Sequence, residues 1–210
     1  MRKFDAIIFD LDGTVIDSVP GIQRGYDLAY EKILNRKNEE AITPFIGPPI
    51  GDIFRQLTNI EDDKVIQDFI EQFQLFYDRD GYKEAKIYEG MEAVLIGLQQ
   101  AEIDVYLATY KREIPTRKIL VQMDLLKYFQ AIYTVDMYGY RFSNKSEMVQ
   151  DLVIKHQLQP TRCLFVGDTV YDKRAAMENK MLFAWAKYGY GSDCGSDFDI
   201  HSPIDILSAI

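Results

Sequence analysis

Hydrophobic positions follow two periods along this chain, and the change of period divides it. Residues 6–9, Ala-Ile-Ile-Phe, form an unbroken apolar run that stops at Asp10. A short apolar run bounded by turn residues predicts a strand buried on both faces. The same signal returns at 103–109 (IDVYLAT), 130–135 (QAIYTV), 162–168 (RCLFVGD) and 182–187 (LFAWAK). Helical spacing fills the gaps, at 113–124, 145–157 and 171–179, and an amphipathic stretch at 91–100 precedes the series. Repeated strand–helix units with apolar strands predict an α/β fold: a three-layer α/β/α, Rossmann-like parallel sheet.

Between the first strand and this series the pattern is helical throughout. In GIQRGYDLAYEKIL, Ile22, Tyr26, Ala29, Tyr30 and Ile33 share one face. In DDKVIQDFIEQFQLFYDRDG the same holds for Val65, Ile66, Phe69, Ile70, Phe73, Phe76 and Tyr77, and Gly81 is expected to end the helix. The stretch TPFIGPPIGDIF, with three prolines and two glycines, reads as a break between them. An aromatic stripe of this kind most simply forms the core of a helical bundle. The organisation expected is a core domain of residues 1–14 and 86–210 with an all-helical domain, 15–85, inserted. The insert follows the carboxyl end of the first strand, where open α/β sheets bind ligands. A lid there would exclude water from a reaction.

Composition narrows the class without naming a chemistry. The 210 residues are 47% apolar and 27% charged, as in a globular protein with a real core. A formal charge of −9 argues against nucleic acid or an anionic membrane as partner. It leaves room for a small anionic substrate, because a bound cation inverts the local field. Cys163 and Cys194 are too few for a disulfide scaffold, and Cys163 falls inside an expected core strand as a small apolar filler. The basic N-terminus leads into an apolar run too short for a signal peptide, and no segment is long enough to span a bilayer. A cytoplasmic location is expected.

The chemistry is legible at the strand ends. Strand one ends in Asp10, with Asp12 two residues on; side chains two apart on an extended chain point the same way. YLAT ends in Thr109, followed by Tyr110 and Lys111, and FVGDTVYD carries Asp168 and Asp172. RFSNKSE brings Lys145 to a helix start. In a parallel sheet all carboxyl ends lie on one edge, so these groups are expected to gather. Taken singly, each has a simpler reading. Asp-Gly is a common turn, a strand-end Thr satisfies a turn, Lys145 suits a solvated helix start, and Asp168 or Asp172 suits a cap. Taken together they do not, since four carboxylates in one place are costly without a cation. Hard oxygen ligands suit Mg2+, which favours one or two carboxylates, waters and a phosphate oxygen.

DLDGT, LAT, Lys145 and GDTVYD resemble, in order, the four motifs of the haloacid dehalogenase superfamily, and the phosphatase branch with a helical cap after the first motif. FIGPPIGDIF and KYGYGS are similar to members that act as phosphoglycolate phosphatases or nucleotidases. The resemblance implies a Mg2+-dependent phosphomonoester hydrolase with a small phosphorylated substrate. It implies Asp10 as the nucleophile that forms an aspartyl-phosphate, and Asp12 as acid and then base. Mg2+ would be held by Asp10, Asp168 and the backbone carbonyl of Asp12. Thr109 would hydrogen-bond a phosphoryl oxygen, Lys145 would neutralise developing charge, and Asp172 would orient Lys145 or a metal-bound water. Gly13 would let the chain turn, and the amides after Asp10 would bind phosphate. Candidate substrate selectors are Tyr110, Lys111, Arg55 and Arg24. Asp12 argues against the dehalogenase and phosphonate-cleaving relatives, which lack that carboxylate. Tyr110 stands where relatives carry Asn or Ser, and Glu89 where they often carry Pro. A phosphosugar mutase of the β-phosphoglucomutase kind shares both aspartates and stays open, as does a non-catalytic module binding a phosphorylated ligand.

Overall fold

A computed structural model describes residues 3–139, 141–192 and 195–210; Cys194 lies outside these. The chain divides into two compact units, residues 1–17 with 87–210, and residues 18–86. Each is described by itself.

The first unit is built on a parallel sheet. Its strands are β1 (Ala6–Phe9), β4 (Asp104–Thr109), β5 (Ala131–Thr134), β6 (Cys163–Gly167), β7 (Leu182–Ala186) and β8 (Phe198–Ile200). They lie in the order β5-β4-β1-β6-β7-β8, every neighbouring pair parallel. Two short strands, β2 (Ile16–Asp17) and β3 (Lys86–Ile87), fall where the chain passes between units. Helices α4 (Met91–Gln100), α5 (Glu113–Gln122), α6 (Lys145–Lys155), α7 (Val170–Glu178) and the short α8 (Ile206–Ala209) complete the unit. Alternate positions of the strands divide between the two faces. Ala6, Ile8, Tyr106, Ala108, Phe165 and Phe183 pack with Met148, Val149 and Leu152 of α6 and Ala175 and Ala176 of α7. The intervening Ile7, Phe9, Leu107, Leu164 and Val166 are also fully buried and point the other way. Burial on both faces is why these strands read as continuous apolar runs.

Strand β1 is central, paired with β4 on one side and β6 on the other, in the register Phe9–Leu107 and Phe9–Val166. Chain order runs outward from β1 in both directions. The carboxyl end of β1 is therefore the topological switch point, where crevices open in such sheets. The α/β architecture expected from the sequence is the one observed. Strand β8 was not expected: its three residues, with exposed Asp199 in the middle, are too few to show a period. Cys163 is buried in β6, where its thiol donates to Gln159 O at 3.3 Å and burial pushes it up to about 11.

The second unit is helical: α1 (Val19–Leu34), α2 (Ile50–Thr58) and α3 (Asp63–Tyr77), with short 3-10 turns. Its core is aromatic. Phe54 and Phe69 stack at 4.1 Å between centroids, and Tyr26 meets Phe69 edge-on at 5.1 Å. The Asp62 carboxylate caps α3 by accepting from Lys64 N at 2.9 Å. Two expectations are corrected here. The proline-rich stretch read as a break holds the first turn of α2, because Pro49 is its N-cap, outside the hydrogen-bonded turns that proline would break. Gly81 does not end α3, which stops at Tyr77; it opens a 3-10 turn. A Cβ on Gly21 would fall 2.0 Å from Gly81 O, so the glycine permits close backbone contact. Among the described residues no helix is long and apolar enough to cross a membrane.

Candidate active site

Asp10 follows β1 directly, and its N–H still donates to Val166 O of β6 at 2.9 Å. That bond carries the sheet one residue past the strand and fixes where the carboxyl group emerges. Lys145 is the first residue of α6, after Asn144, whose side chain accepts from Glu147 N at 2.9 Å. Its Nζ forms an ion pair with Asp10 Oδ1 at 2.7 Å and donates to Asp172 Oδ1. Burial alone would depress the lysine; the charges of Asp10 and Asp172 outweigh it and hold the ammonium above its usual range. Burial pushes the Asp10 carboxyl up to about 7, with Lys145 pulling down and Asp172 adding to the rise.

Asp168 follows β6 and is fully buried. Its Oδ2 accepts from Tyr190 N at 2.8 Å, whereas Oδ1 has no hydrogen-bond partner. Burial, then the nearby Asp172 and Asp10, hold this carboxyl well above the usual carboxylate range. Asp172 has both oxygens engaged: Oδ1 with Lys145, Oδ2 with Thr169 N at 2.8 Å and Thr169 Oγ1 at 2.6 Å. It is thus both the N-terminal cap of α7 and the second partner of Lys145. One oxygen each of Asp10, Asp168 and Asp172 lie within 4.8 Å of one another. Three buried carboxylates face one ammonium, an imbalance that a divalent cation would relieve. The donor set fits Mg2+: hard oxygens only, with Asp168 Oδ1 buried and unpartnered. Since Asp172 is already engaged, Asp10 and Asp168 are the side chains placed to hold it.

The remaining expected residues separate into two groups. Thr109 ends β4, buried, and its Oγ1 accepts from Lys111 N at 3.2 Å, which leaves the hydroxyl proton free to donate. Lys111 Nζ reaches both oxygens of Asp12, at 3.1 and 3.0 Å. These belong to the same edge as Asp10. Tyr110 turns away: its hydroxyl donates its one proton between Phe142 O and Ser143 O, at 3.2 and 3.1 Å. It ties the loop after β4 to the loop that leads into Lys145. Arg55 lies in the helical unit and faces Asp52 at 3.1 Å, Glu61 at 3.1 Å and Asp63 at 3.6 Å. Arg24, in the same unit, pairs with Glu84 at 2.7 Å. Both arginines, expected as substrate selectors, pair with neighbouring carboxylates of the same unit.

Gly13 turns the chain, as expected, and also packs closely on a neighbour. Its φ is +77°, and a Cβ there would fall 2.2 Å from Asp168 Oδ2. Its own N–H is given to Ile16 O at 2.9 Å. The glycine is required because the backbone presses against Asp168. Gly189 and Gly191 also lie against Asp168. A Cβ on Gly189 would lie 2.4 Å from Asp168 Cβ, and one on Gly191 1.9 Å from Asp168 O. The sequence shows these two only as a glycine repeat in KYGYGS; nothing in it shows which residue they clasp.

A carboxylate pair and a lysine at the switch point of a parallel sheet define the class as an α/β enzyme with an acidic centre that could hold a cation. The comparison with known families gives the particular one. The family model described as haloacid dehalogenase-like hydrolase matches residues 7–186, and the chain belongs to that family. It is therefore an enzyme of the hydrolase class. Among curated relatives, a 5'-nucleotidase of Pseudomonas aeruginosa is 27% identical over 96% of this chain and 90% of its own length. A phosphoglycolate phosphatase of Vibrio vulnificus (strain YJ016) is 30% identical over 90% of this chain and 86% of its own. Among solved structures, a haloacid dehalogenase-like family hydrolase from Streptococcus pneumoniae shares the fold, with a TM-score of 0.89 at 24% identity. The match covers 100% of this chain and 99% of that one.

Proposed function

We propose that the protein hydrolyses small phosphomonoesters, with Mg2+ as its cofactor, through an aspartyl-phosphate on Asp10. The observation that carries this is the Asp10 carboxyl, buried at the end of the central strand, 2.7 Å from a buried ammonium and beside the unpartnered oxygen of Asp168. In the first half-reaction an Asp10 oxygen attacks phosphorus in line as the bond to the leaving alcohol breaks. Asp12 gives its proton to that alcohol oxygen. In the second, Asp12 takes a proton from the water that attacks phosphorus, and Asp10 is released as carboxylate. Thr109 donates its hydroxyl proton to a phosphoryl oxygen, and Lys145 offsets negative charge as it develops. Lys111 holds the Asp12 carboxylate in place between the two half-reactions. Bound by Asp10, Asp168 and the backbone carbonyl of Asp12, Mg2+ would supply charge neutralisation to the transferring group.

The names of the relatives support phosphoglycolate and nucleoside monophosphates as first substrates to try. We assign substrate choice to the helical unit, acting as a cap, because every group given a chemical role above belongs to the other unit. The test is phosphate release from a panel of phosphoglycolate, nucleoside monophosphates and sugar phosphates, with and without chelator. Release that stops in chelator and returns with Mg2+ is expected. Isomerisation of a sugar phosphate without phosphate release would instead identify a mutase, and turnover at full rate in excess chelator would overturn the metal.

A further inference from the structure

Resting on that reading, we propose that Tyr190 is a positioning residue for Asp168, anchoring the metal-facing carboxylate to the strand at Ile16–Asp17. Three consecutive residues, Gly189, Tyr190 and Gly191, lie against Asp168. The outer two are glycines because a Cβ on either would enter atoms of Asp168. The middle one gives Asp168 Oδ2 its hydrogen bond from Tyr190 N, at 2.8 Å. With Oδ2 held and Oδ1 unpartnered, the direction of Oδ1 is set by this one backbone N–H.

The loop carrying that N–H is itself held by the tyrosine side chain. Tyr190 Oη lies 3.1 Å from Asp17 Oδ1 and 3.5 Å from Ile16 O. The adjacent Tyr188 is fastened likewise, its hydroxyl donating to Thr14 O at 2.8 Å, and its ring meets Tyr88 edge-on at 4.9 Å. The Tyr190 side chain thus does for Asp168 what a hydrogen-bonding partner does for a metal-ligating side chain: it fixes the ligand's orientation before the cation arrives. Asp17 touches Tyr190 and is the last residue before the helical unit begins at Ser18. A change at the point where the chain leaves the sheet unit is therefore felt at the cation site.

Tyr190→Phe keeps the N–H and removes the hydroxyl; Asp17→Ala removes the acceptor. Mg2+ affinity is measured by calorimetry on the whole protein, and in parallel by fluorescence of Trp185. This is the one tryptophan, and its indole N–H donates to Asp168 O at 3.1 Å. Each variant is expected to bind Mg2+ about 10- to 100-fold more weakly. The double variant should be no worse than the more affected single one, because both act through the same contact. The loss in Mg2+ affinity should exceed the loss in kcat at saturating Mg2+. Unchanged affinity in both variants overturns the proposal, even where melting temperature falls, since a purely structural role would lower stability alone. If Tyr190→Phe does not fold, Asp17→Ala decides by itself. A parent protein that binds no Mg2+ overturns the metal reading, and this proposal with it.

Discussion

Asp10 pairs with Lys145, and the state of that pair sets how the protein responds to pH. The folded protein holds the Asp10 carboxyl at about 7 against an ordinary 3.8, with burial as the main cause, and Asp168 is raised in the same direction. A carboxyl raised by folding keeps a proton that the unfolded chain has released. Stability of the metal-free protein therefore falls as pH climbs from about 4 towards 7, the reverse of the usual salt-bridged aspartate. Lys145, raised by its two carboxylates, contributes stability that persists below the ordinary lysine value and is lost only as pH rises through its higher folded one. At the proposed metal site Mg2+ would compete with the protons on Asp10 and Asp168, so the rise in melting temperature on adding it should be larger at pH 8 than at pH 5.5. Melting curves in chelator and in Mg2+ at the two pH values check this, and an equal rise at both would contradict it. At this scale the sequence was informative for polar side chains at strand ends. It was silent on partners: that Tyr110 fastens a loop and Arg55 faces three carboxylates depends on contacts far along the chain or across a helix surface.

Strands and long helices were legible because each buries a face with a clear period. β4, β6 and β7 fall within the stretches expected, and α4 occupies the residues expected for it. The elements missed are those whose pattern is too short or is set by neighbours. β8 has three residues. α2 was hidden by prolines that lie just outside it. The loop 189–191 has no period at all, and its glycines answer to Asp168, more than 20 residues earlier. Gly13 belongs with them, and it yields a prediction. Gly13→Ala places a Cβ 2.2 Å from Asp168 Oδ2 at a φ of +77°, which alanine adopts only under strain. The variant should lose more than about 1 kcal/mol of stability and bind Mg2+ more weakly, because Asp168 has to move. Denaturant unfolding and a Mg2+ titration measure the two losses. A fully stable variant with parent affinity would show that the backbone does not press on Asp168.

At the scale of the molecule, an acidic chain of formal charge −9 concentrates its most buried carboxylates around one lysine at the switch point of its sheet. That placement follows from topology: parallel strands bring Asp10, Thr109 and Asp168 to one edge from positions 99 and 59 residues apart in sequence. Order along the chain was therefore enough to read the fold class and which strand ends would meet. The substrate was not legible, because no motif in the sequence marks the side chains that would recognise it. The central claim is that Asp10 itself takes the phosphoryl group. The most direct measurement uses Asp12→Asn, in which hydrolysis of the intermediate lacks its base, with a phosphomonoester whose leaving group needs no proton. Rapid acid quenching followed by peptide mass spectrometry should find one phosphoryl group, carried by the peptide containing Asp10 and absent when Asp10→Asn is added. Phosphate release at the parent rate with Asp10→Asn, or a phosphoryl group found on any other residue, would contradict the account.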